Sequence, residues 1–108
     1  MNTLNPEIIK AIDTLKGKDI CQLDVSTLTD MTDTMIVATG TSSRHIKAIA
    51  DSVISTAKSM GISPLGAEGD GSNGWVLVDI ADTVVHIMLA ETRAFYDLEN
   101  LWSLSPRP

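Results

Sequence analysis

Apolar positions along this chain change period several times, and each change marks an element. Ile8, Ile9, Ala11, Ile12 and Leu15 recur at the three- and four-residue spacings of one helix face. Asn5, Pro6 and Glu7 give that helix a start: a capping amide, a proline at the first helical position and an acid suited to the dipole. Gly17 gives it a stop. Ile20 to Val25 reads as a strand, followed by a Ser/Thr/Asp-rich connection through Asp33. Met35 to Ala38 is a continuous apolar run bounded by turn residues, the pattern of a buried central strand. The longest periodic stretch follows, a helix from Ser43 to Met60 with Ile46, Ile49, Ala50, Val53, Ile54, Ala57 and Met60 on one broad face, ended by Gly61.

Beyond Gly61 the helical spacing ends and short segments bounded by turn residues follow. Pro64 to Glu68 reads as a short strand, Gly69 to Gly74 as a loop, and Trp75–Asp79 and Thr83–Leu89 as strands joined in a hairpin by Ile80-Ala81-Asp82. A last helix is predicted from Glu91 through Leu98 to Trp102, before a tail at 103–108 expected to be flexible. The order α-β-β-α-β-β-β-α combines an antiparallel hairpin with a helical crossover. This predicts an α/β (α+β) fold with a mixed sheet of about five strands and flanking helices. Residues 1–108 are expected to form one domain, since the length suits a single core and no linker or repeat interrupts it.

Composition narrows the partners. With 44% apolar and 20% charged residues the chain is an ordinary globular sequence, which argues against disorder. Eight basic residues against fourteen acidic ones give a formal charge of −6, which repels a phosphate backbone and disfavours direct nucleic-acid binding. A basic protein is the charge-compatible partner, although solubility alone accounts for such a charge equally well. The single Cys21 forms no internal disulfide, and neither a signal pattern nor an apolar run of about 18 residues is seen. A cytoplasmic location without membrane contact is expected.

Several motifs resemble chemistry. Gly69-x-Gly71-x-x-Gly74 matches the dinucleotide fingerprint in letters, yet a strand follows it instead of the helix that receives pyrophosphate, and Glu68 and Asp70 oppose phosphate. Ser55-x-x-Lys58 lies deep inside a helix, away from the helix start where such a nucleophile is presented. His45, His86 and Cys21 lack structural-zinc spacing, so no metal is expected. Gly40-Thr41-Ser42 between a strand and a helix is where a nucleotidyltransferase would bind phosphate. The carboxylates that would hold Mg²⁺ are then Glu68 with Asp70, or Asp79 with Asp82, and neither pair is clearly preorganised. A small nucleotidyltransferase or nucleotide-binding protein is therefore the alternative enzyme reading, and an adaptor that pairs two copies along a sheet edge is a third.

Three segments carry a resemblance. Thr32 to Asp51 holds a strand, a Gly-x-Ser turn and an Arg-His helix start. Trp75 to Met88 holds a Trp strand, an acidic turn and a Val-His strand, and Arg93 to Trp102 a closing helix. In this order they resemble the RsfS/Iojap family of ribosomal silencing factors. Thr34-Met35 replaces an aromatic pair common there, Ala81 a glycine and Phe95 a tyrosine. The resemblance implies a nucleotidyltransferase-like fold without catalytic residues or cofactor, and a non-enzymatic repressor of translation. It also implies a partner, large-subunit ribosomal protein fourteen, at the face where the small subunit docks, so that joining is blocked when nutrients are short.

The candidate partner-binding residues follow from residue type and place. Trp75 opens a strand after a glycine loop, as either a partly exposed anchor or a core side chain closing the sheet. Arg93 and Tyr96 lie three apart on the last helix and share a face, as contacts or as cover for the sheet. Glu68, Asp70 and Asp79 form an acidic rim near Trp75 if the hairpin closes as read, or a solvated loop. His86 shares a strand face with Val84 and Met88, as a contact or a buried hydrogen-bonded imidazole. Arg44 and His45 oppose the dipole at a helix start, which points to a role beyond helix stability.

Overall fold

The computed structural model describes residues 4–27, 32–69 and 71–97. Its elements are α1 (Leu4–Thr14), β1 (Lys18–Asp24), β2 (Thr34–Gly40), α2 (Ser43–Ser59), β3 (Gly66–Glu68), β4 (Trp75–Ile80), β5 (Thr83–Leu89) and α3 (Ala90–Tyr96). The strands form one sheet in the order β1-β2-β5-β4-β3. Among the described residues only β2 and β5 run parallel, as the α2 crossover requires. All seven residues of β2 are buried, as its uninterrupted apolar run predicted for a central strand.

Two layers result. Ile8 and Ile12 of α1 and Ile46, Ile49, Val53 and Ala57 of α2 pack on Ile36, Val76, Val78, Val85 and Ile87 of the sheet. Burying an isoleucine side chain fully is worth about 1.5–3 kcal/mol, so this layer dominates the stability. The opposite sheet face carries Leu23, Met35, Val37, His86, Met88, Trp75, Leu77 and Asp79, and a smaller cluster of Val25, Met35, Val37 and Met88 forms there.

Asn5 departs from its predicted role. It lies inside α1, buried, with its amide nitrogen donating to the Thr34 hydroxyl (3.2 Å) and its amide oxygen accepting from Thr83 (2.6 Å). Thr34 and Thr83 face each other at the start of the parallel pair, so Asn5 clasps both central strands instead of capping the helix. The hairpin turn is tied to the same place: the Asp82 carbonyl accepts from the backbone of Asp33 and Thr34 and from the Thr32 hydroxyl. The last helix is shorter than predicted within the described residues. It closes at Tyr96, where Asp97 adopts the left-handed conformation (φ 49°) and its N–H returns to the Arg93 carbonyl. Leu98 to Trp102 lie outside the described residues.

Candidate partner-binding site

The parallel pair directs the site. β2 runs into α2 and β5 into α3, so both helices begin at the carboxyl end of the central strands, where open α/β sheets present ligand-binding groups. The glycine loop crosses this end. Gly71 has φ 91°, and a Cβ there would stand 2.7 Å from the Ser43 carbonyl oxygen, so its backbone packs directly on the start of α2. Gly74 packs equally closely on α3, a Cβ there lying 2.5 Å from the Thr92 hydroxyl. The Ser42 hydroxyl accepts the His45 backbone N–H (3.1 Å) in ordinary N-cap geometry.

From this loop the chain enters β4 at Trp75, which is half-buried. Its indole Nε1–H donates to Nδ1 of His86 at 3.0 Å. Trp75 pairs with Met88 across the ladder, so His86 is its diagonal neighbour on the same face, within reach of an aromatic ring. His86 is only 6% exposed, and burial pushes its imidazole down to about 4. It is therefore neutral near pH 7, accepting at Nδ1. As arranged, His86 lies beneath Trp75 and not on the surface.

Tyr96 packs against the indole, with ring centroids 4.7 Å apart and a tilt of 52°. It is 50% exposed, and the adjoining Phe95, 80% exposed, meets it edge-on at 5.0 Å. Two shallow grooves flank this aromatic group. One, of about 510 Å³, is lined by Ser72, Asn73, Leu89, Thr92, Phe95 and Tyr96 among others. The second, of about 280 Å³, is lined by Glu68, Gly69, Asn73, Trp75 and Leu77. Phe95 and Asn73 were not among the predicted site residues. Phe95 had a usable signal: adjacent aromatics on a two-turn helix cannot both face the same sheet.

The remaining candidates divide. Glu68 stands opposite Leu77 at the sheet edge and is exposed in the groove beside Trp75. Asp79 stands opposite Gly66, diagonal to Glu68 on the same face, and extends the acidic margin away from the indole. Asp70 lies outside the described residues. Arg93 turns inward, its guanidinium donating to the Thr39 hydroxyl (2.7 Å), which holds α3 to the end of β2. Arg44 is exposed on the first turn of α2. His45 is a strap: Nδ1 accepts the Thr41 backbone N–H (2.9 Å), and Nε2–H donates to the Leu15 carbonyl (2.7 Å) at the end of α1. Both of its ring nitrogens are engaged inside the chain, which accounts for an imidazole at a helix start without a partner. Among the described residues, no group of three His, Cys, Asp or Glu side chains is placed to hold a metal ion.

Fold and surface together define a small two-layer α/β domain with an aromatic patch, edged by carboxylates, at one end of its sheet. Over residues 2–108 the chain matches the family described as "Ribosomal silencing factor during starvation", and it belongs to that RsfS family. It is 51% identical over 94 residues to the ribosomal silencing factor RsfS of Chromobacterium violaceum, spanning 87% of this chain and 77% of that protein. A crystal structure of a protein from the same organism superposes with a TM-score of 0.89 at 48% identity, covering 93% of this chain and 83% of that one. A mouse protein named for mitochondrial assembly of the ribosomal large subunit is 34% identical over 91 residues, spanning 82% of this chain and 40% of its own length. Among the described residues no helix is long and apolar enough to cross a membrane.

Proposed function

We propose that this chain is a non-enzymatic translational repressor of the cytoplasm. It binds the large ribosomal subunit through ribosomal protein fourteen, and its bulk keeps the small subunit from joining when nutrients are short. The observation that carries the reading is the aromatic group of exposed Phe95 and Tyr96 beside half-buried Trp75, with Glu68 at its margin. Exposed aromatic side chains gathered on one patch are the usual energetic centre of an interface. A carboxylate margin on a chain of formal charge −6 suits a basic ribosomal protein and opposes bare RNA. The family described for silencing during starvation supports the nutrient link, and the mouse relative's name supports the large subunit as the half that is bound.

The test is direct. With purified subunits, the chain is expected to sediment with large subunits and not with small ones, and to lower the yield of joined ribosomes in proportion to its occupancy. Unchanged joining at saturating protein would overturn the steric mechanism.

A further inference from the structure

The hydrogen bond between Trp75 and His86 bears on how the aromatic patch is read. An indole carries one donor and no acceptor. In Trp75 that donor is directed inward, to Nδ1 of a histidine that is itself buried and so cannot meet a partner. Tyr96 packs on the same ring, with centroids 4.7 Å apart. The strand backbone fixes where the side chain leaves the sheet, and these two neighbours fix how the ring turns.

We propose that His86 is a positioning residue: by holding the indole N–H within the fold it sets the ring's orientation and leaves only ring surface for the partner. The partner group received at Trp75 is then one that packs on an aromatic face, and not a hydrogen-bond acceptor. This rests on the reading of Trp75 as a ribosome contact, and it adds a residue to that site that never touches the ribosome. Leucine at 86 removes the acceptor while filling similar space. Asparagine sets an amide oxygen near the Nδ1 position, and glutamine places it further out.

Binding to isolated large subunits is measured for each variant beside its thermal melt. His86→Leu is expected to weaken binding about tenfold, the scale of one lost buried hydrogen bond. His86→Asn is expected to stay within about threefold of the parent, which corresponds to about 0.7 kcal/mol or less. In a Trp75→Phe background, which has no indole N–H, His86→Leu should weaken binding no further, because His86 acts only through that proton. Equal effects of His86→Leu in both backgrounds would overturn the inference. So would parental binding by His86→Leu while Trp75→Ala has lost it, and that outcome leaves the contact reading standing. Parental binding by Trp75→Ala overturns both. If His86→Leu does not fold, Asn against Gln carries the same test: Asn is expected to bind and Gln to be weakened, and equal loss in both counts against positioning.

Discussion

Arg93 of α3 and Thr39 of β2 are joined by a hydrogen bond of 2.7 Å across 54 residues of sequence. Thr39 sits in the row with Met88 and Trp75, so this bond fastens α3 beside the ring that Tyr96 covers. α3 has no buried residue of its own, and a two-turn helix is too short to persist alone. Its place therefore depends on a few polar and aromatic contacts.

Thr39→Val keeps the shape of the side chain and removes the acceptor. It is expected to destabilise the protein by about 1 kcal/mol, less than a fully buried charged hydrogen bond because Arg93 is only half-buried. Urea unfolding reads this as a lower midpoint at unchanged slope. A midpoint equal to the parent's would show that the bond does not hold α3.

Ala81 occupies the hairpin turn with φ 50°, a region costly for any side chain. Ala81→Gly relieves that strain but adds freedom to the unfolded chain, so a net gain of about 0.5–1 kcal/mol is expected. Differential scanning calorimetry checks it, and a lowered melting temperature would contradict it.

Much of the fold was legible because its signals are local. The run Met35–Ala38, the spacing from Ile46 to Ala57 and the apolar run from Trp75 to Val78 each specify an element from neighbours alone. The short link read at Ile80-Ala81-Asp82 places β4 against β5, although Ile80 is the last residue of β4 and the turn is Ala81-Asp82. Asn5 misled because an amide before a proline reads as a cap, whereas its partners Thr34 and Thr83 lie 29 and 78 residues away. His45 looked like a surface contact for the same reason, since the Leu15 carbonyl that engages it is 30 residues distant. At the site, sequence alone named Trp75, Tyr96 and Glu68, which the fold brings together. That Arg93 turns inward required knowing where β2 ends, and that His86 sits under Trp75 required the ladder register.

The buried imidazole makes stability depend on pH. His86 titrates at about 4 in the fold against an ordinary 6.5, so the unfolded chain takes up the proton first. Its stabilising contribution is complete above about pH 6.5, falls as pH drops and is gone below about 4. The difference amounts to about 3 kcal/mol at one pKa unit per 1.36 kcal/mol. Asp24 is held below its ordinary value of 3.8 by hydrogen bonds from Ser26, so its contribution is lost only below this range. Urea midpoints between pH 7 and 4 should decline in the parent and flatten in His86→Leu. Equal slopes in both would remove His86 as the cause.

The aromatic patch provides the last test. Trp75→Ala and Tyr96→Ala together are expected to weaken large-subunit binding about a thousandfold, since each interface anchor of this kind is worth about 2 kcal/mol or more. The two differ in what they do to the fold. Tyr96 is half exposed, so its truncation should leave the melt nearly unchanged, while Trp75 packs on the Val37 and Met88 cluster and its loss should lower stability by about 2–3 kcal/mol. Binding is therefore compared at a temperature where every variant is folded, with Lys58→Ala on the opposite layer as the surface control. Loss of binding in Tyr96→Ala with an unshifted melt assigns the patch to the ribosome most cleanly. If both single variants fold and bind like the parent, the interface lies elsewhere on the domain.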